Sequence, residues 1–318
     1  LTAGTDRRDA PALGRDLDDM ASSMSGFSGR GLLGLRMTAL SRDFDRALDL
    51  FADALFAPAM PASELERNRA ERLRGLAARR DELAASAFEQ FHAALHTGHP
   101  YGRAIDGTPE TVARMSRESL LDFHARAVRP ERMVLAIVGD VDPDDAFAQV
   151  EARFTASRSA SAPLSMFDGP GQRRPSATRV ESHRDRQQAH IVVGYTVPGL
   201  DAPERFTLDL LAASLGGQGG RLFLSLRDRQ SLAYSVGAYV TPGVSVGSFA
   251  IYLATSASKA DAAIAAIRAE LAALVSDGLS EEEVARARKF LVGQREIGLQ
   301  RPAARAGFSS SGWLASPA

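Results

Sequence analysis

The amino-acid sequence predicts an α+β protein of two homologous domains, each a mixed, mainly antiparallel β-sheet packed with helices. Three observations carry that expectation. Helical periods and strand-like runs segregate in both halves instead of alternating as parallel βαβ units. From Thr155 to Thr178 the chain turns to Ser, Pro, Gly and Arg with little hydrophobic pattern, which marks a boundary. Landmarks of the first half return in the second. The expected domains are residues 1–155 and 178–318, joined by a linker at 156–177. At 318 residues the chain has room for two domains of roughly 150 residues each.

The elements follow in order. Leu13, Leu17 and Met20 keep a helical period, with Asp9 and Pro11 at its start. The run Gly26-Phe-Ser-Gly-Arg-Gly31 reads as a turn-rich break, and residues 32–40 as a strand. Phe44, Ala47, Leu48, Phe51 and Leu55 define an amphipathic helix over 43–56, stopped by Pro58 and Pro61. Ser63 with Glu66 three residues on has the pattern of a capping box, opening a helix or helix pair that reaches Leu95. His99-Pro-Tyr-Gly102 breaks it. Ser116 caps a helix through Ala127, residues 132–139 read as a buried strand, and Asp142-Pro-Asp-Asp145 opens a helix ending near Phe154. The second half reads as a strand at 189–196, a helix at 202–215 and the run Gly216-Gly-Gln-Gly-Gly220. A helix through Arg229, strands near 233–240 and 248–254, and helices at 258–276 and 280–297 complete it.

The duplication rests on paired landmarks. Asp9-Ala-Pro and Asp201-Ala-Pro each precede a helix. Ser41, Asp45, Ala47, Leu55, Ser63, Glu64, Glu66, Arg69 and Leu73 match Ser258, Asp261, Ala263, Leu271, Ser280, Glu281, Glu283, Arg286 and Leu291. The offset grows from 192 to 217 residues between the two sets, so the second half carries about 25 extra residues around Gly216 to Tyr239. Extra chain at one place in a duplicated fold is where repeat-specific function is sought.

Composition excludes several classes. The chain is 45% hydrophobic and 24% charged with net charge −1. It holds 36 Arg against two Lys, Lys259 and Lys289, balanced by 39 acids, so the arginines fit a GC-rich coding sequence and not a nucleic-acid-binding surface. Cysteine is absent, which removes disulfides, thiolate zinc sites and thiol nucleophiles. No apolar run is longer than that from Met133 to Val138, which is too short to span a bilayer. No basic segment followed by an apolar run opens the chain, and Leu1 reads as an internal start.

Several segments together resemble the pitrilysin/insulinase-type zinc metallopeptidases, the inverted-motif M16 family that includes mitochondrial processing peptidase. They are Gly4-Thr5 followed by a basic pair, Ser63-Glu-Leu-Glu-Arg67, His99-Pro-Tyr-Gly102, Asp106-Gly107, Val138-Gly-Asp-Val141, and Gly216-Gly through Arg221-Leu-Phe and Leu226-Arg227 to Leu232-Ala-Tyr234-Ser-Val236. They occur in family order over nearly the whole chain. The resemblance implies the metallopeptidase-like fold shared by the processing peptidases and a clamshell of two halves around peptide substrates.

In that family an active unit carries His-x-x-Glu-His on a helix, with a Glu on a later helix as third zinc ligand. Two His one turn apart share a helix face, and the Glu between them can act as general base. The motif is not in this sequence; by the resemblance it would end just before Leu1. The third ligand is checkable: Asn68 falls where a supporting Glu is usual, and Gly75 where the ligand Glu belongs. A slipped register brings up Glu71 or Glu82 but loses the neighbouring matches. The resemblance therefore implies no zinc in this chain, zinc in a catalytic partner half, and no peptide hydrolysis by this chain alone.

Three further features bear on a site. His92 and His96 are i, i+4 on a helix, with Glu89 a turn before and His99 just after, a spacing that can chelate zinc, although Phe88, Phe91 and Leu95 mark the same helix as a core border. His124, His183 and His190 are scattered. Gly216, Gly217, Gly219 and Gly220 could cradle a phosphate ahead of a helix. They follow a helix and no Lys-Ser/Thr follows them, so the nucleotide-loop readings fail their context. By resemblance this run is similar to the flexible Gly-rich loop of the non-catalytic processing-peptidase subunit, in a shorter form, beside the substrate chamber.

Arg227 and Tyr234 are the candidate substrate-facing pair. In two-half family members an Arg and a Tyr at this spacing face the zinc site of the other half. The Tyr hydroxyl there can donate to a substrate carbonyl oxygen as charge develops. Taken without the resemblance, Tyr234 is an amphipathic strand residue and Arg227 a solvated helix residue. The sequence thus points to the non-catalytic half of a bacterial-type two-half or two-subunit peptidase. A catalytic half, on the same chain or a separate one, would be its partner. Two alternatives stand beside this: an active zinc endopeptidase with its metal motif upstream of residue 1, and a purely structural assembly subunit.

Overall fold

A computed structural model describes residues 1–154 and 177–307. The expected linker, apart from residue 177, lies outside the described residues. The described chain forms two compact units. One comprises residues 1–77, 105–154 and 300–307; the other comprises residues 78–104 and 177–299. Among the described residues sheet pairing is antiparallel, in one two-stranded and one three-stranded sheet. The α+β class holds.

The first unit begins with α1 (Ala10–Asp19), whose N-cap Asp9 accepts from the Ala12 amide at 2.8 Å. The hairpin β1 (Ser23–Ser28) and β2 (Leu33–Thr38) follows. β1 covers much of the run expected to be a turn-rich break. Its sequence, Ser-Met-Ser-Gly-Phe-Ser, lacks the β-branched residues that announce a strand. Pairing makes the strand: the Phe27 ring lies across Gly34, where a Cβ would meet it at 2.6 Å. The turn proper is shorter, closed by the Gly29 amide on the Leu32 carbonyl at 2.8 Å.

Helix α2 (Phe44–Phe56) is buried on both flanks. Ala47 and Leu50 join Leu13 of α1 and Met24 and Met37 of the hairpin. Leu48, Ala52 and Leu55 pack against Val128, Met133, Leu135 and Phe154. Each such fully buried leucine stabilises by about 2 kcal/mol. Helix α3 (Ala62–Arg79) starts one residue before the expected box, so Ser63 sits inside its first turn and Glu66 pairs with Arg69 instead of closing a cap. Arg69 also donates to the carbonyls of Val112, Ala113 and Met115, at the end of α5 (Pro109–Arg114). α6 (Arg117–Ala127) carries the Ser116 cap, and α7 (Pro143–Phe154) follows it.

Residues 132–139 form no strand, contrary to expectation. β1 and β2 pair only with each other among the described residues, so this run finds no ladder. Met133 and Leu135 still reach the α2 cluster, which accounts for the apolar pattern without sheet pairing.

The second unit is a sheet in the order β3-β5-β4, from β3 (Gln188–Pro198), β4 (Ser235–Thr241) and β5 (Val246–Ser256). Phe249, Ile251 and Leu253 of β5 point into a core with Leu215, Leu222, Leu226, Ala263 and Ile267. These come from α8 (Arg205–Leu215), the turn after it, a π-helix (Phe223–Arg229) and α9 (Ala260–Asp277). α8 begins three residues later than expected, and Asp201 does not cap it as Asp9 caps α1. The opposite sheet face is covered by α4 (Leu83–Leu95): Phe88 stacks on Tyr252 at 5.6 Å between centroids, and the Phe91 ring occupies the space a Cβ on Gly194 would take. α10 (Glu281–Gly298) ends the set.

The element order helix, hairpin, 3-10 turn, helix, helix runs from α1 through β1, β2 and residues 41–43 to α2 and α3. It recurs from α8 through β4, β5 and residues 257–259 to α9 and α10. The first copy joins helix to hairpin through residues 20–22; the second inserts the Gly-rich turn and the π-helix there.

Candidate functional site

The insertion is built from the chain outward. α8 ends at Leu215, and Gly217 takes φ +72°, open to glycine without strain. The turn then folds back so tightly that a Cβ on Gly220 would lie 2.0 Å from the Gly216 carbonyl oxygen. Its glycines therefore serve close backbone approach. Gly219 faces the Arg286 guanidinium, where a Cβ would sit 2.8 Å from Nη1.

Two arginines fasten this turn to α10. Arg286 donates to the Ser214 carbonyl at 3.0 Å. Arg221 makes a bidentate pair with Glu283, at 2.7 Å and 2.6 Å, and reaches the Gly278 carbonyl at 2.9 Å. Glu283 is also the reciprocal member of the Ser280 capping box. Bonding to Arg221, reinforced by Ser280, outweighs partial burial and holds the Glu283 carboxyl down at about 2, against an ordinary 4.5. A depressed folded-state pKa contributes stability above the unfolded value and loses it as pH falls. Allowing for solvent screening at this partly exposed pair, Glu283→Gln should cost about 2 kcal/mol at neutral pH. The gap to the parent should close as pH falls from 4.5 toward 2, read from urea midpoints across that range.

Beyond Arg221 the π-helix carries Arg227, exposed and stacked on Phe223 with its guanidinium carbon 4.9 Å from the ring centroid. Tyr234 precedes β4 by one residue, its amide donating to the Ala254 carbonyl at 2.8 Å and its side chain 58% exposed. Both residues lie in the second unit.

The described candidate residues do not converge as a zinc site. On α3 the Asn68 amide donates to the Glu64 carbonyl at 2.7 Å, and Gly75 has no donor to offer. A Cβ on Gly75 would meet nothing within 4 Å, so no crowding forces glycine there. His92 and His96 stack with rings nearly parallel and 6.0 Å between centroids. His99 accepts from the Tyr101 amide through Nδ1, at 3.1 Å. Glu89 pairs with Arg79 at 3.2 Å. Among the described residues no group of three or more His, Asp or Glu side chains converges as a metal site. His124 bonds the Leu55 carbonyl at 2.7 Å and His190 the Tyr252 hydroxyl at 2.8 Å; burial lowers the pKa of both.

Other resemblance-bearing segments hold the fold together. Gly4, at φ +105°, turns the chain so that the Thr5 hydroxyl donates to buried Asp53 at 2.6 Å. The basic pair serves the same acid, Arg8 at 2.6 Å and Arg7 at 3.3 Å. The Tyr101 hydroxyl of His99-Pro-Tyr-Gly102 accepts from the Val244 amide at 3.0 Å. Sequence reasoning singled out Arg221 and Glu283 as landmarks without pairing them, and passed over Ser225 and Glu270 below the π-helix. The only signal for the latter pair is a polar residue among the buried leucines 222 and 226.

The fold is shared with solved structures. A peptidase M16 inactive domain from Pseudomonas fluorescens superposes with a TM-score of 0.84 at 23% identity, covering 99% of this chain and 74% of that one. A protease from Helicobacter pylori gives 0.83 at 17%, covering 98% and 77%. These likenesses show the fold: an α+β architecture common to this chain and both structures. Residues 1–109 match the family model described as insulinase (peptidase family M16), and residues 114–291 the model described as peptidase M16 inactive domain. The chain belongs to peptidase family M16. An uncharacterized zinc protease of Mycobacterium leprae is 31% identical over 94% of this chain and 68% of its own length. One from Mycobacterium tuberculosis is 30% identical over 96% and 70%. Among the described residues no helix is long and apolar enough to cross a membrane.

Proposed function

We propose that this chain is the non-catalytic half of an M16-type zinc-dependent peptidase. It forms wall for a peptide-holding chamber and presents Arg227 and Tyr234 to the zinc site of a catalytic partner half. What supports this reading is α3: aligned on the family pattern, Asn68 and Gly75 fall where glutamates are usual, and a Cβ on Gly75 would meet nothing within 4 Å. The metal, held by the partner, would polarise the scissile carbonyl and its attacking water. Tyr234 donates its hydroxyl to the carbonyl oxygen as negative charge develops there. Arg227 holds substrate backbone through its planar fork. The sheet edges of the second unit offer main-chain hydrogen bonds to extended peptide. The relatives' name, zinc protease, supports the metal dependence of the assembled enzyme.

The test is reconstitution. Full-length protein purified without chelator should carry far less than one zinc per chain and cleave no unfolded peptide. Mixed with a catalytic M16 chain of the same organism, it should raise cleavage well above that chain alone. Stoichiometric zinc with cleavage by the isolated protein would establish an active endopeptidase instead. Stable assembly without any effect on cleavage would leave a structural subunit. Zinc that disappears in His92→Ala or His96→Ala would relocate the metal to α4.

A further inference from the structure

The segment that carries Arg227 is wound in an uncommon way. Phe223–Arg229 is a π-helix, a winding met mostly as single turns at functional places. Something must hold seven residues in it. Leu222 and Leu226 are fully buried in the second-unit core and anchor the inner face. Between them Ser225, 3% exposed, donates its hydroxyl to the Glu270 carboxylate on α9. The same oxygen accepts from the Gln230 side-chain amide at 3.1 Å, and the Ser225 carbonyl accepts from the Gln230 backbone amide at 3.1 Å. The exit is tied as well. Ser231, at φ +50°, donates to the Arg227 carbonyl at 3.1 Å, and Leu232 to the Leu226 carbonyl at 2.8 Å.

The winding decides where two side chains point. With i to i+5 bonding a turn takes more than four residues, so Arg227 falls just short of a full turn from Phe223 and its guanidinium stacks on that ring. Rewinding to an α-helix would carry Arg227 from just short of a full turn to just past one, swinging its side chain about the helix axis relative to Phe223 and the buried Leu226. It would also release one residue toward β4, and a one-residue slip sends every side chain of a strand to the other face. Tyr234, held by its amide on Ala254, stands at that junction.

We infer that Ser225 and Glu270 are positioning residues: their bond keeps the π-winding of Phe223–Arg229, which aims Arg227 and sets Tyr234 at the mouth of β4. This rests on the functional role given above to that pair. In the enzyme reconstituted with a catalytic M16 chain and a quenched-fluorescent unfolded peptide, Ser225→Ala and Glu270→Ala should raise KM about tenfold, the scale of a lost bond to a charged group. Glu270→Gln, which still accepts from Ser225, should keep most of the parental KM. In an Arg227→Ala background Ser225→Ala should raise KM no further, and any added loss should fall on kcat through Tyr234. In the isolated protein, the Arg227 Nε–H resonance, shifted by the Phe223 ring, should move toward its random-coil position in Ser225→Ala. Amide exchange at Gln230 and Leu232 should quicken while Ile251 and Leu253 stay protected. An Arg227 resonance that stays in place, or a second full KM penalty in the Arg227→Ala background, overturns the positioning role alone. If Arg227→Ala and Tyr234→Phe leave cleavage untouched, the functional reading falls and the positioning role with it.

Discussion

Asp53→Ala should lower the stability of the first unit by about 3 kcal/mol, the low end for stripping one partner from a buried charge cluster. Asp53 is 3% exposed and takes the Thr5 hydroxyl and two guanidinium groups. Its removal leaves Thr5, itself 4% exposed, without its acceptor. The loss stays at the low end because Arg8 keeps Asp16 at 2.9 Å and Asp49 at 3.2 Å. Asp53→Asn keeps an oxygen for Thr5 and should cost less than Asp53→Ala. Thr5→Ala removes one hydrogen bond and should cost about 1–2 kcal/mol. Urea midpoints of the three variants give the order directly. Equal midpoints for Asp53→Ala and the parent would mean that the cluster is not a brace. Such a loss is large against the 5–15 kcal/mol that typically holds a domain together.

Asp53 also shows what was legible in the sequence. Gly4-Thr5 and the basic pair stood out as a family likeness, but nothing in their spacing joined them to an acid 48 residues on. Local signals read well: the Ser116 and Ser280 caps act within three residues of themselves, and α2 declares both flanks by its apolar period. Strands depended on their partners. β1 is a strand because the Phe27 ring fills the space over Gly34, while residues 132–139 have the composition of a strand and, among the described residues, no ladder to join. The same holds at the site. Arg227 and Tyr234 were visible as a motif and the helix-to-strand change between them was visible as pattern. The π-winding was not, because it follows from a hydroxyl on one helix meeting a carboxylate on another.

With the catalytic half present, Tyr234→Phe should lower kcat about 100-fold, the typical loss when one donor to a developing oxyanion is removed. The folded protein should be unaffected. The Tyr234 ring is more than half exposed, and its structural bond to Ala254 runs through the backbone amide, which phenylalanine retains. Unchanged urea and thermal midpoints should therefore accompany the fall in rate, separating chemistry from folding. Arg227→Ala should act differently, raising KM more than it lowers kcat, because that side chain is assigned to substrate backbone and not to the reacting oxygen. Arg227→Lys should rescue poorly: an ammonium lacks the planar fork for a peptide and the flat face that stacks on Phe223. Parental turnover in Tyr234→Phe would remove this residue from the chemistry and leave the chain as chamber wall. A 100-fold fall confined to kcat, with KM held, places the hydroxyl where only the transition state meets it.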